Sequence, residues 1–164
     1  MIVVNSSPII ILAKEGMLDI LKKCYKKVII PKSVYNEVMH KNGTPEAVAL
    51  QKVIKARWVI VQKTAVMSEL DTKNIGQGEK EAISLAYKHK SLLIIDDDSA
   101  KKYASVFGVE AHGTLYLIYL ACARGIIDKS DAMNALEGMI VDGFYVSSEL
   151  HMKFLDLLNT LEEY

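Results

Sequence analysis

The chain has 164 residues, 51% hydrophobic and 24% charged, with 20 Lys+Arg against 20 Asp+Glu. That length suits one domain with its own core, and three prolines and nine glycines exclude a low-complexity chain. A formal net charge of +0 excludes a globally basic nucleic-acid binder, though not an enzyme that meets nucleic acid through local lysines.

Ile2-Val3-Val4 is a short apolar run ending at Asn5 and reads as a buried strand. Ser6-Ser7-Pro8 supplies capping hydroxyls and a proline suited to a first helical turn. Apolar residues at helical spacing continue to Leu21, with Gly16 breaking the run into two helices, and Lys22, Lys23, Lys26 and Lys27 close it. Val28-Ile29-Ile30 is a second strand stopped by Pro31; Ser33 to His40 is helical; Thr44-Pro45-Glu46 opens a helix to about Ala56. Trp58 to Val61 is a further strand. Glu79 to His89 is a helix with Ala82, Ile83 and Ala86 on one face, Leu92 to Ile95 a strand, and Ser99 to Phe107 the helix after it, ended by Gly108. Val109 to Ala111 reads as a short strand and Thr114 to Ala123 as an apolar helix ending at Gly125. A helix capped by Ser130 runs to Ile140, Phe144 to Val146 reads as an edge strand, and Ser147 caps a last helix to about Leu161.

Short apolar strands alternating with helices predict an α/β fold with a mostly parallel sheet, organised as one domain over 1–164 with its C-terminal helix from about 147. Cys24 and Cys122 lack CxxC spacing and read as reduced thiols. With no secretory leader pattern and no apolar run near 18 residues, the expected location is cytoplasmic, without a membrane span.

Sites in open parallel sheets form beyond the carboxyl ends of the strands. The first strand delivers Asn5 there, the helix after the second carries Glu37, the Gly76-x-Gly78 loop places Glu79 at a helix N-terminus, and LLIIDDDSA delivers Asp96 and Asp97. Asp98 reads as the N-cap of the next helix and Glu81 as a solvated helix residue. Two like charges about 4 Å apart repel by roughly 4 kcal/mol at an effective dielectric near 20. Carboxylates gathered at one sheet edge therefore call for a cation. Mg²⁺ takes oxygen ligands of this kind, and paired ions serve phosphodiester hydrolysis.

The segments Val4-Asn5-Ser6-Ser7-Pro8, VIIPKSVYNEV (28–38), GQGEKEAI (76–83), LLIIDDDSAKKYA (92–104) and GTLYLIYLACARGII (113–127) fall in the order seen in PIN-domain proteins. The chain resembles the PIN-like branch of prokaryotic proteins often encoded beside small antitoxin-like partners. The resemblance implies a three-layer α/β/α fold and a ribonuclease that uses Mg²⁺ or Mn²⁺ to hydrolyse phosphodiester bonds of single-stranded RNA. It further implies the toxin half of a toxin–antitoxin pair, a small antitoxin protein as partner, and a homodimer.

Carried over by position, the acidic set falls on Asn5, Glu37, Glu79 and the Asp pair, where the register favours Asp97 with Asp96 adjacent. Ser7 matches a hydroxyl that orients the first acid and Thr114 a hydroxyl near the site; Lys14, Lys101 and Lys102 are candidate contacts to the RNA, and His112 is a weaker one. Active PIN enzymes mostly carry Asp where this chain has Asn5. The alternative reading is therefore a catalytically weakened module that binds nucleic acid or protein. A receiver domain would need an acidic pair after the first strand, where Asn5-Ser6 stands. A haloacid-dehalogenase-type phosphatase would need a Thr or Val at Ala100 and further acids downstream.

Overall fold

The strands at 2–4, 28–31 and 93–94 are short and wholly buried, which is why they read as unbroken apolar runs and not as alternating patterns, while those at 59–62 and 111–112 are partly exposed. In the computed structural model, which describes residues 1–161, β1 (Ile2–Val4), β2 (Val28–Pro31), β3 (Val59–Gln62), β4 (Leu93–Ile94) and β5 (Ala111–His112) form one sheet. Its order is β3-β2-β1-β4-β5, and every pairing is parallel. Register is fixed at the centre: Val3 sits beside Ile29 on one side and Leu93 on the other.

Each parallel crossover needs a connecting element, and helices supply them: α1 (Ser6–Lys14) and α2 (Asp19–Tyr25), α3 (Lys32–Met39) and α4 (Pro45–Lys55), α5 (Gln77–His89), and α6 (Asp98–Val106). A 3₁₀ turn at Ser68–Leu70 precedes α5. One apolar cluster joins the sheet to α5 and α6 through Val3, Ile29, Leu85, Leu93, Ile95 and Ala104. The fold class is therefore α/β, with a parallel sheet flanked by helices, as the alternating pattern predicts.

Several boundaries differ from the expectation, each for a backbone reason. Val109 cannot begin a strand because its N–H closes the end of α6, donating to Ala104 O at 2.9 Å, while Gly108 at φ +70 turns the chain. β5 accordingly starts at Ala111. The expected edge strand at Phe144 to Val146 is absent for the same reason: Phe144 N–H donates to Met139 O at 2.9 Å across Gly143 at φ +91. Both are Schellman-type helix ends that use glycine in the left-handed region. Trp58 is buried beside β3 but lies outside it.

The chain divides into two compact units, Met1–Thr114 and the segment from Leu115 onward. The first holds the whole sheet and α1 to α6. The second holds all but the first residue of α7 (Thr114–Ala123), then α8 (Lys129–Val141) and α9 (Ser148–Asn159). Within it Leu117, Ile118, Ala121, Met139, Phe154 and Leu158 are buried. The expected cap of α8 moves from Ser130 to Asp128, whose Oδ1 accepts from Asp131 N–H at 2.7 Å, whereas Ser147 caps α9 as expected. Neither cysteine forms a disulfide. Burial pushes the Cys122 thiol above its ordinary pKa, with nearby Lys129 pulling the other way. Among the described residues, no helix is long and apolar enough to cross a membrane.

The N-cap of α6 is Asp97, not Asp98: its Oδ1 accepts from Ala100 N–H at 2.7 Å. Asp98 stands in the first turn, with its side chain 91% exposed and 3.7 Å from Lys101 Nζ. Asp97→Ala should therefore lower unfolding free energy by about 1 kcal/mol, the usual loss for a helix cap. Asp98→Ala should leave it unchanged. Urea denaturation of the two variants checks the assignment, and equal effects would reject it.

Candidate functional site

The strand order dictates where a site can form. From β1 the chain steps to β2 and β3 on one side; β4 and β5 then add on the other side. The crevice of such a sheet opens where the direction of stepping reverses, beyond the carboxyl ends of the two central strands. Here those are β1 and β4. Asn5 follows β1 directly, and its backbone N–H donates to Ile94 O at 2.9 Å, which locks it to the end of β4. Ile95 N–H in turn donates to His112 O at 2.8 Å, which brings the β5 exit alongside. Asn5, Asp96 and the Gly113-Thr114 turn are thus set at one edge by the ladder itself.

Asn5 is 3% exposed and is the N-cap of α1, yet its side chain makes no cap hydrogen bond. It turns towards α5 instead. Its Nδ2 donates to Glu79 Oε1 at 3.3 Å, and its Oδ1 is buried with no hydrogen-bond partner. A buried acceptor left unpaired costs about 1–3 kcal/mol, so its surroundings matter. They are set by Gly78. A Cβ at that position would stand 3.3 Å from Asn5 Oδ1, 3.4 Å from Glu37 Oε2 and 3.5 Å from Val34 Cγ2. The missing side chain leaves a small space bounded by an amide oxygen and a carboxylate oxygen. Glu37 reaches it from α3, and the residue as a whole is exposed. The Glu79 carboxylate folds back over Gly76, the N-cap of α5, where a Cβ would collide with Oε2.

Asp96 forms a second centre in the same unit. Thr114 N–H donates to its Oδ1 at 2.7 Å, Thr114 Oγ1 to its Oδ2 at 2.7 Å, and Ser7 Oγ to its Oδ2 at 3.1 Å. Three donors from α1 and the start of α7 therefore fix this carboxylate in place. Gly113 lets it approach: a Cβ there would lie 2.9 Å from Asp96 Oδ1 and 3.3 Å from Lys101 Nζ. An ammonium group thus shares the flank of Gly113 with Asp96.

The expected residues fall into two groups and do not form a single cluster, with roles redistributed. Ser7 does not orient Asn5; it donates to Asp96. Within the Asp run the residue that faces the crevice is Asp96. Asp97 is exposed and spends one oxygen on the α6 cap. Thr114, fully buried, is a direct partner of Asp96. Lys14 and Lys102 are exposed, and His112 pairs with Glu110 at 2.8 Å.

Glu81, expected in solvent, instead accepts from Ser33 Oγ at 2.6 Å and Ser33 N–H at 3.2 Å. Sequence reasoning passed over Gly78 and Gly113 as site residues; the signal present was only that each glycine directly precedes a residue that had been singled out.

Among the described residues, no three His, Cys, Asp or Glu side chains are grouped closely enough to hold a metal ion on their own. The carboxylates divide into Glu37 and Glu79 about Asn5, and Asp96 about Thr114. Neither Glu37, Glu79 nor Asp96 is ion-paired with a lysine or arginine among the described residues. The donor set facing Gly78 is all oxygen, and one of its members is a buried orphan. That chemistry fits a hard divalent cation such as Mg²⁺ or Mn²⁺, provided the Asn5 amide completes the set.

A family model described as DUF3368: PIN domain matches residues 1–160. Among solved structures, the fold is similar to that of a PilT N-terminus domain protein from the archaeon Sulfolobus solfataricus P2. That pair is 24% identical with a TM-score of 0.51, over 71% of this chain and 90% of that one. A domain of a functionally unknown protein from Methanocaldococcus jannaschii DSM 2661 is 19% identical with a TM-score of 0.46, over 68% and 89%. No curated protein matches the chain. A family match over nearly its whole length establishes that this chain belongs to the PIN-domain family DUF3368.

Proposed function

We propose that this PIN domain is a nuclease that hydrolyses phosphodiester bonds of single-stranded RNA with Mg²⁺ or Mn²⁺ held by Asn5, Glu37 and Glu79, with Asp96 completing the acidic face. The observation that carries the reading is the buried, partnerless Asn5 Oδ1 set against Glu37 Oε2 across the bare face of Gly78. An amide between two carboxylates can donate only through its nitrogen, so its oxygen has no protein donor to meet. A cation supplies the missing positive partner. When bound, it also contributes Lewis-acid polarisation of a phosphoryl oxygen.

The protein groups do the rest. Asn5 Nδ2 holds Glu79 in a single orientation. Thr114 and Ser7 hold Asp96, so neither carboxylate must reorganise when substrate arrives. Glu37 Oε2 accepts no hydrogen bond from the protein among the described residues, which leaves it open to the cation across Gly78. Lys101, beside Gly113, offers its ammonium to a backbone phosphate as a point charge. Asp97 is assigned to the helix cap, with no direct contact to the ion.

The toxin role, a small antitoxin partner, a homodimer and a cytoplasmic setting belong to the same proposal; they are supported by the family resemblance. A second reading, a binding module with weakened catalysis, is favoured by one specific observation: the neutral Asn5 stands where a carboxylate would add charge.

Two measurements test the proposal. With Mn²⁺ and a single-stranded RNA, wild-type protein should cut and Glu79→Gln should not; cleavage unchanged in Glu79→Gln, or in excess chelator, would refute the assignment. By calorimetry, Asn5→Asp should tighten Mn²⁺ binding by about tenfold or more, roughly 1.4 kcal/mol, and raise cleavage. Gly78→Ala should fill the space and weaken Mn²⁺ binding, while thermal stability changes by no more than about 1 kcal/mol, the scale of a Gly-to-Ala helix substitution. Binding retained in Gly78→Ala would mean that the ion sits elsewhere.

A further inference from the structure

One polar contact between helices plays no part in holding the ion. Helix α3 begins directly after Pro31, whose side chain cannot cap it; the N-cap position makes no side-chain hydrogen bond. Its first-turn N–H groups would go unpaired within the helix. Glu81, from the second turn of α5, fills the gap from outside. Its Oε2 accepts both the Ser33 backbone N–H at 3.2 Å and Ser33 Oγ at 2.6 Å, and its Oε1 accepts from Gln77 Nε2 at 3.0 Å. A carboxylate at a helix N-terminus also meets the positive end of the helix dipole.

The position of this contact is what gives it meaning. Ser33 and Glu37 are four residues apart on α3 and lie on one face. Gln77 and Glu81 are four apart on α5, with Gly78 between them. The two helices therefore meet at two points, Gly78 against Val34 and Glu37, and Glu81 against Ser33. The first is a close approach with little room beyond a Cβ, and the second is a directional tie. An approach over a bare glycine leaves α3 free to slide; a tie one turn away, in which one oxygen accepts two hydrogen bonds from Ser33, does not.

We infer that Glu81 is a positioning residue: by gripping the start of α3 through Ser33, it sets where the Glu37 carboxylate stands across Gly78 and so tunes cation affinity. This rests on the metal reading of the site. Glu81 itself touches neither the space over Gly78 nor substrate; it acts through Glu37.

The experiment is Mn²⁺ titration by calorimetry on the full chain, with melting temperatures recorded alongside. Glu81→Ala should raise the Mn²⁺ Kd about threefold or more, less than the tenfold or greater loss that follows removal of a direct partner of a metal ligand. Glu81→Gln, which keeps an oxygen for Ser33, should restore affinity to near wild type. Thr44→Ala removes the cap of the neighbouring helix α4, whose Oγ1 accepts from Ala47 N–H at 3.4 Å; it should lower the melting temperature without moving Kd.

Wild-type Kd in Glu81→Ala, no rescue by Glu81→Gln, or equal weakening in Thr44→Ala would each overturn the inference while leaving the metal site standing. If Glu81→Ala does not fold, Ser33→Ala carries the test, since it removes only the hydroxyl; an unchanged Kd there overturns the inference equally. Absence of Mn²⁺ binding by the wild-type protein would instead remove the metal reading, and this inference with it.

Discussion

The site depends on a reversal in the order of parallel strands. Because β4 adds beside β1 and not beyond β3, the two central strands send their chains in different directions as they leave the sheet. A crevice is the geometrical result. The hydrogen bond from Asn5 N–H to Ile94 O and that from Ile95 N–H to His112 O extend the ladder one step past the strands on either side of β4. The residues at the crevice are therefore held by backbone, and their side chains inherit the rigidity of the core at Val3, Leu93 and Ile95. A site on a mobile loop could not keep a buried amide aimed at a gap the size of a methyl group.

Two glycines convert that placement into chemistry. Gly78 brings α5 against α3 and leaves the space that Asn5 and Glu37 border; Gly113 lets the Thr114 turn close over Asp96 with Lys101 alongside. In both places the role is close approach, since neither residue adopts a positive φ. Hydroxyls complete the arrangement: Ser7 and Thr114 both donate to Asp96, and Ser33 engages Glu81. A carboxylate fixed by two or three donors is arranged before any ligand arrives, and prearranged dipoles are worth most where water is excluded.

Much of this was legible in the chain, for reasons that differ by residue. The buried strands announced themselves because parallel strands covered on both faces leave uninterrupted apolar runs, and the rule that sites follow strand ends led directly to Asn5 and the Asp run. The register within Asp96-Asp97-Asp98 was not legible. It depends on which residue leaves the strand last and which caps the helix, and three identical side chains give no local signal. The structure places the cap on Asp97 and turns Asp96 inward. Glu81 was misread because its partner lies 48 positions away. Helical periodicity identifies a face, but not the end of another helix docked upon it. The strand expected at Phe144 failed because apolar content outweighed the glycine immediately before it, which closes α8 instead.

The amide at position 5 has a consequence beyond a lost charge. A carboxylate there would face Glu79 and Glu37 with no proton to offer, and three acceptors would converge in a pocket where Asn5 is 3% exposed. Such a site gathers its own repulsion and leans on a cation to assemble. Asn5 donates to Glu79 and so ties one carboxylate down without help, leaving only its oxygen unsatisfied. With a cation bound as proposed, the amide at this position gives up one charge and supplies a donor to Glu79. The tie from Glu81 to Ser33 works in the same sense, holding α3 and its Glu37 in place by contacts that need no metal. Hydrogen bonds within the protein thus hold Glu79 through Asn5 and tie the start of α3 to α5 through Glu81 and Ser33.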